Sequence, residues 1–533
     1  MFGRRPTVSS VQGIVAASNP SAAQAGARLL REGGNAFDAA VAVAAALNVV
    51  EPYMSGLAGM GMATAYVARE KRVRTLDFVT RVPSQLPVER FKQREDLHRG
   101  ALACGTPGNL AGWHELVSTY GRKSLSDVLQ PAIELARDGA VLSGYNRNMI
   151  NEVAPDIGKH KALYKEWADT YTFGAGTVRP GQLLRQEKLA KTYEAIAAHG
   201  PDYLYRGPLG KALIAHIGKL GGCLTQGDFD AVAPEWLEPV SASYRGITVY
   251  TLPPPCEGFQ YLLTLRILDG LNLEILERNG IEHLDTVYRA IRLAAGARIQ
   301  FNRPSAKRLK ELLSESFVSK FRKRVEDRKP VDGPTEQWIE PKPADPRKEY
   351  TTSFSVADKE GNLVCITQSL GAIFGSGIVV PGTGVCLNNF LYWGEINPKA
   401  TNYMRPGGPL ALPMAPSIGL RGKQPVLALG TPGSYGICQT QAQVMVQLLD
   451  FGQPIQDAIE APRARLWDGR RVQIEGRVRG EVVEALRTRG HDVEHLADWV
   501  NAVGSMQGIT IDLESGAMTG GCDPRRDGYV ATP

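Results

Sequence analysis

Cysteine and histidine are scarce in this chain, with seven of the first and eight of the second among 533 residues. The cysteines, Cys104, Cys223, Cys256, Cys365, Cys386, Cys438 and Cys522, are odd in number and never lie at metal-ligand spacing. That excludes a disulfide framework or a zinc site as the organising principle, and predicts buried thiols in a reducing compartment. No HExxH motif is present. His491 and His495, four residues apart, have no third ligand nearby, so the pair reads as solvated and no metal or cofactor is expected. A G-x-S-x-G elbow is also missing, because Gly433-Ser434-Tyr435-Gly436 has the wrong spacing. Scattered histidines leave a Ser-His-Asp enzyme without support.

Long apolar runs are missing too. The longest, residues 36–50, contains Asp38 and Asn48 and is too short to span a bilayer. The first residues, MFGRRPTVSS, lack the apolar core of a secretory signal. A cytoplasmic protein without a membrane partner is expected. The net charge of +6 has a local origin: residues 303–329 hold ten Lys/Arg against four Asp/Glu. Leu309, Leu312, Phe317, Val318 and Phe321 interleave with those charges as on a surface helix, so no nucleic-acid partner is implied.

What remains is ordinary globular composition, 43% hydrophobic and 22% charged, in a chain long enough for two or three domains or one large layered domain. Residues 20–50 read as two helices broken at Gly33-Gly34-Asn35, the second alanine-rich on nearly every face and so tightly buried. Gly56, Gly59 and Gly61 form a glycine loop, which reads as flexible. It follows a helix rather than a strand and does not predict a phosphate cradle. Strands are predicted at 63–68, 72–78 and 247–252, and mostly helix between 107 and 220 and again from 260 to 325. Residues 330–350 are Pro-rich, charged and aperiodic, as in an exposed linker. A β-hairpin follows, with strands at 351–357 and 363–370 around Asp358-Lys359-Glu360-Gly361-Asn362. The mixture fits α/β layers around stacked sheets.

The junction Tyr350-Thr351 joins the linker to that hairpin. Cutting it would make Thr351 an N-terminal residue with a hydroxyl and an α-amine. An α-amine has a pKa of about 7.7–8.0 and serves as a general base at neutral pH. One residue would then supply nucleophile and base. A Thr-Thr pair opening a strand is also a common structural feature.

Nine blocks in order separate the two readings. GGNAFDAAVAVAAALNVVEPYMSGLAGMG (33–61), GTPGNLAGW (105–113), YRGITVYTLPPP (244–255), TTSFSVADKEGN (351–362), FGSGIV (374–379), LNN (387–389), GTPGS (430–434), DFGQPIQDAIEAPR (450–463) and DPRRDGY (523–529) resemble the gamma-glutamyltranspeptidase family of N-terminal-nucleophile (Ntn) hydrolases. The resemblance implies a four-layer αββα sandwich, made as a precursor that cleaves itself before Thr351. Residues 1–350 and 351–533 would be the large and small chains of one intertwined domain, each the other's partner. Thr351 would attack an amide carbonyl to form an acyl-enzyme. Ser369 stands where the family has a threonine that hydrogen-bonds the nucleophile. Gly433 and Ser434 match the paired glycines whose N–H groups form the oxyanion hole, each such donor stabilising the transition state by about 2.7–4 kcal/mol. A side chain at 434 strains that loop if φ is positive.

The residues that read γ-glutamyl groups in the family are replaced. Val79 stands at the carboxylate-reading Arg, Leu412-Pro413 at a Ser-Ser pair, Trp393 at the ammonium-reading Asp, Gly371 at an Asn and Phe390 at a polar residue. Each lost contact to a charged group costs about 1.5–3 kcal/mol, so efficient glutathione cleavage is not expected. Phe390, Trp393 and Leu412 either pack a loop or line an acyl pocket for aromatic or aliphatic groups. Arg81, two residues beyond Val79 and on the same face of an extended segment, either holds a carboxylate on the acyl group or is a surface residue. The expectation is an autoprocessed N-terminal-threonine amidohydrolase acting on a small-molecule amide other than a typical γ-glutamyl peptide. The alternatives are a γ-glutamyltransferase or glutathione hydrolase, and an uncut, non-catalytic binding protein.

Overall fold

A computed structural model describes residues 5–160, 162–331 and 350–533. Most of the proposed linker, 332–349, lies outside the described residues. Two antiparallel seven-stranded sheets form the centre. One runs in the order Val8–Ser10, Met518–Cys522, Gln507–Ile511, Gln424–Gly430, Ser417–Arg421, Ile247–Thr251, Val240–Tyr244. The other runs Tyr529–Ala531, Gly13–Ala17, Tyr350–Asp358, Leu363–Gly371, Met60–Val67, Arg72–Phe78, Glu235–Leu237. Each sheet therefore takes strands from both sides of position 350/351.

Alternation along the strands builds the layers. In Leu363–Gly371, Leu363 and Cys365 face the first sheet with Ile418, Ala428 and Ile509, whereas Val364 and Ile366 face the helices Pro20–Arg31 and Ala36–Val50. On the other side, Phe259–Leu268, Ile281–Gln300 and Ile437–Leu449 cover the first sheet. This is the four-layer αββα sandwich that the family resemblance implies.

The two early helices fall where the sequence places them. Asn35 caps the second by accepting from the N–H groups of Phe37 and Asp38, and Asp38 in turn accepts from the N–H of Asn35. All fifteen residues of Ala36–Val50 are buried, because small side chains let it lie between the sheet that carries Thr351 and further helices. The basic stretch is two helices, Ala306–Leu312 and Glu315–Glu326, and not one, since Ser314 restarts the chain as an N-cap position. Six cysteines are buried, and none is in a disulfide.

Two expectations are corrected here. His491 is buried rather than solvated: its Nε2 lies 2.7 Å from Asp285 and its Nδ1 2.7 Å from Arg292. Its pKa is lowered by burial. The glycine loop is a close-packed crossing. A Cβ on Gly59 would stand 2.3 Å from the carbonyl oxygen of Ser369, so the glycine is required by contact and not by flexibility. Among the described residues no helix is long and apolar enough to cross a membrane. Among those residues no group of three His, Cys, Asp or Glu is arranged to hold a metal.

Candidate functional site

Thr351 lies one residue into the strand Tyr350–Asp358, where the ladder breaks. Tyr350 pairs with Gly371 and Thr352 with Gln368, so the register slips between them and Thr351 sits on a bulge. A bulge re-aims a side chain, and here it turns Oγ1 toward Ser369, 3.5 Å away. Thr352 points to the opposite face. Its hydroxyl bonds Glu51 Oε2 at 3.0 Å and Ser18 Oγ at 2.7 Å. The strand beside it, Gly13–Ala17, meets this strand at residues 355–358, so among the described residues the Thr351 carbonyl has no ladder partner on that side. Arg526 takes that place, donating from Nη1 to the carbonyl oxygen at 2.8 Å.

Ser369 joins the Thr351 hydroxyl to the Tyr350 carbonyl. It donates to the Tyr350 carbonyl oxygen at 2.7 Å and accepts from the Gly371 N–H at 2.8 Å. Thr351 Oγ1 donates to it, so one serine connects the hydroxyl to the adjacent carbonyl. The hydroxyl needed at 369 is present, as a serine.

The segment carrying Gly433 and Ser434 leaves the strand Gln424–Gly430 beside the same hairpin. A Cβ on Gly430 would collide with Ser353 Oγ at 2.1 Å, which shows how closely this segment passes the nucleophile strand. Gly433 has φ +124° and Ser434 φ +49°. Ser434 therefore does adopt the left-handed conformation that favours glycine. Among the described residues neither the Gly433 nor the Ser434 N–H is used in a hydrogen bond, while Arg465 fixes the Gly433 carbonyl at 2.7 Å. Two adjacent N–H groups on a clamped turn suit an anionic oxygen.

Gly371 and Trp393 are matched in volume. Gly371 has φ +105°, and a Cβ there would meet Asn389 Oδ1 at 2.2 Å and Trp393 Cζ3 at 3.0 Å. The Asn389 amide and the indole together fill the space that a side chain at 371 would need. Its Nε1 donates to Ser434 Oγ at 3.3 Å. Trp393 thereby spans the strand end at Gly371 and the turn at Ser434. Phe390 and Leu412 belong to the same buried apolar cluster, and Val79 packs against it. Asn388 and Asn389 anchor this segment: Asn388 bonds Gly105 and Ala58, and Asn389 accepts from the Ala372 N–H at 2.8 Å. Arg94 braces its outer side, donating to the Tyr392 carbonyl at 3.0 Å.

The expected shared face of Val79 and Arg81 is corrected. Asp77 Oδ1 accepts from the Val79 N–H at 2.8 Å, and the chain leaves its strand at Phe78. Val79 turns into the apolar cluster, while the Arg81 guanidinium goes out to Glu235 at 3.2 Å and stays 39% exposed. Burial, with Glu235 nearby and against the opposing pull of the Val79 N–H, brings the Asp77 carboxyl up to about 6.

Two residues beneath Thr351 escape a reading of the sequence. Glu51 follows the alanine-rich helix and is fully buried, accepting from Ser18 at 2.7 Å and from Thr352. Burial pushes its carboxyl up, and Arg526 opposes that shift. Arg526 lies in the block DPRRDGY near the chain's end, where no local signal joins it to Thr351, 175 positions away. The signal that existed was an arginine inside a family block.

The comparisons follow this geometry. The family model described as Gamma-glutamyltranspeptidase matches residues 22–532. Acylase ACY 1 proenzyme of Pseudomonas sp. (strain SE83) is 32% identical over 98% of this chain and 93% of its own length. The glutathione hydrolase proenzyme of Bacillus subtilis (strain 168) is 30% identical over 97% and 90%. A crystal structure of cephalosporin acylase from Bacillus halodurans superposes with a TM-score of 0.91 at 30% identity, covering 100% of this chain and 98% of that one. The chain belongs to the gamma-glutamyltranspeptidase family, with the Ntn-hydrolase fold.

Proposed function

We propose that this protein is a self-cleaving N-terminal-threonine amidohydrolase that hydrolyses an acyl-amino compound whose acyl group is aliphatic or aromatic instead of γ-glutamyl. The observation that carries the reading is the position of Trp393, wedged against Gly371 and bonded to Ser434. An apolar ring stands beside the oxyanion turn, where a zwitterionic head group would need partners. The acylases among the relatives support the same direction.

In the uncut chain Thr351 Oγ1 adds to the Tyr350 carbonyl carbon, polarised by the Ser369 hydroxyl. A C–O bond forms, the Tyr350–Thr351 C–N bond breaks, and the nitrogen takes the hydroxyl proton. Water then splits the ester, leaving a carboxylate on Tyr350 and an α-amine with a hydroxyl on Thr351. In turnover that amine accepts the Oγ1 proton as Oγ1 attacks the substrate amide. The N–H groups of Gly433 and Ser434 receive the oxyanion. The amine returns the proton to the leaving nitrogen, and water resolves the acyl-enzyme.

A panel of p-nitroanilides, γ-glutamyl against straight-chain and aromatic acyl groups, tests the substrate class. Higher kcat/KM on the apolar members is expected. Preference for the γ-glutamyl anilide would support a glutathione hydrolase and contradict the proposal.

A further inference from the structure

Arg526 is a buried arginine with little to do unless Thr351 is a catalytic residue. It is 5% exposed. A guanidinium has five N–H donors, and among the described residues one is used here: Nη1 holds the Thr351 carbonyl oxygen at 2.8 Å. Its Nε is buried without a partner, and its other close neighbour is the Tyr145 ring, 5.9 Å from Cζ. Among the described residues no carboxylate lies within ion-pair distance of it. A cation held this way costs folding energy, because burying charge without a counter-ion is unfavourable.

The charge stands against the atom that matters after cleavage. The α-amine of Thr351 is on the same residue as the carbonyl that Arg526 grips. Covalent geometry then places guanidinium and amine about 4–6 Å apart. A second positive charge at that range disfavours an ammonium, and a neutral amine is what a general base requires.

Of the charged groups around this strand, Arg526 is the one bonded to Thr351 itself. Glu51 faces the strand from the end of its helix, its carboxyl raised by burial and lowered by Arg526, with Oε1 buried and unpartnered. Tyr53 and Tyr145 are buried phenols, raised by burial and neutral. Asp527 turns its carboxylate to the Ser143 hydroxyl. Arg465, on the oxyanion side at Gly433, adds positive charge.

We propose that Arg526 is a positioning residue for catalysis, which fixes the Thr351 carbonyl and holds the α-amine released by chain cleavage in its uncharged, proton-accepting form. The inference rests on the self-cleavage proposed above.

The test uses the purified full-length protein. Intact mass first shows whether two chains are present. Competitive labelling with trace acetic anhydride across pH 5–10 then titrates the small chain's N-terminal amine, read by mass spectrometry of its first peptide. The wild-type amine should titrate at least about one unit below the usual 7.7–8.0. Arg526→Gln, which can still donate to the Thr351 carbonyl, should raise that value by about one unit or more, and Arg526→Lys should leave it within a few tenths. The acid limb of kcat/KM should move with it. Arg526→Met replaces Gln if that variant does not fold. An ordinary amine pKa in the wild type, an unmoved titration without the charge, or Lys shifting as far as Gln would overturn the role of Arg526. A chain that stays whole overturns the self-cleavage reading, and this one with it.

Discussion

Trp393 donates its indole N–H to Ser434 Oγ at 3.3 Å, joining the aromatic segment after Asn389 to the turn that presents two backbone N–H groups. The same ring lies against Gly371, where a Cβ would stand 3.0 Å from Cζ3. Three departures from the family pattern, at 371, 393 and 434, are therefore one arrangement. A large residue at 393 is accommodated by the lost side chain at 371 and gains a hydroxyl partner at 434.

Trp393→Ala tests the pocket. It removes the wall and leaves Ser434 Oγ without its donor. With the chemistry untouched, kcat/KM for the preferred apolar anilide should fall about 10- to 100-fold, equivalent to roughly 1.4–2.7 kcal/mol, mostly through KM. The γ-glutamyl anilide should not improve, since no ammonium or carboxylate partner is restored. Steady-state kinetics on both substrates decides it.

Ser434→Gly separates backbone from side chain. Glycine adopts φ +49° without the penalty of roughly 1–2 kcal/mol that an L-residue meets there, but loses the bond to Trp393, worth about 0.5–1.5 kcal/mol. Urea denaturation should therefore show stability between about 0.5 kcal/mol lower and about 1.5 kcal/mol higher. The N–H group persists, so kcat should stay within a few-fold.

Arg81→Ala is expected to be mild. An exposed pair such as Arg81–Glu235 contributes about 0–1 kcal/mol. KM for an acyl anilide ending in a carboxylate should change less than about twofold. A much larger rise would return Arg81 to the acyl site.

The layers were legible because they follow periodicity: the period-2 hairpin around residues 358–362, the buried alanine-rich helix and the Gly33-Gly34-Asn35 break. The expected roles of Thr351 and Ser369 came from the family resemblance, and the structure places the two on adjacent strands of one hairpin, 3.5 Å apart. Arg526 and Glu51 were not legible, since tertiary packing brings them to Thr351 from opposite ends of the chain. Arg81 misled because alternation was extended past Phe78, where the Asp77 side chain captures the Val79 N–H and turns the chain. His491 misled because a histidine in a polar stretch gives no sign of a buried Asp285 waiting for it.

Acid stability should report His283. Its ring is buried, Nδ1 accepts from the Asn279 N–H at 3.0 Å, and burial with the nearby Arg278 lowers its pKa to about 3. The unfolded chain binds a proton near 6.5 that the folded chain refuses. Stability is therefore full above about 6.5 and is lost as pH falls toward 3, by an order of 4–5 kcal/mol for this group. His283→Asn, which keeps an acceptor, should flatten that part of the pH profile in urea melts at pH 4–7.

Intact mass spectrometry of the purified chain tests the central claim most directly. The account predicts two polypeptides, of residues 1–350 and 351–533, collapsing to one uncut chain of 57.8 kDa in Thr351→Ala. Wild-type protein that remains a single chain, or Thr351→Ala protein that is still cut at the same bond, would contradict it.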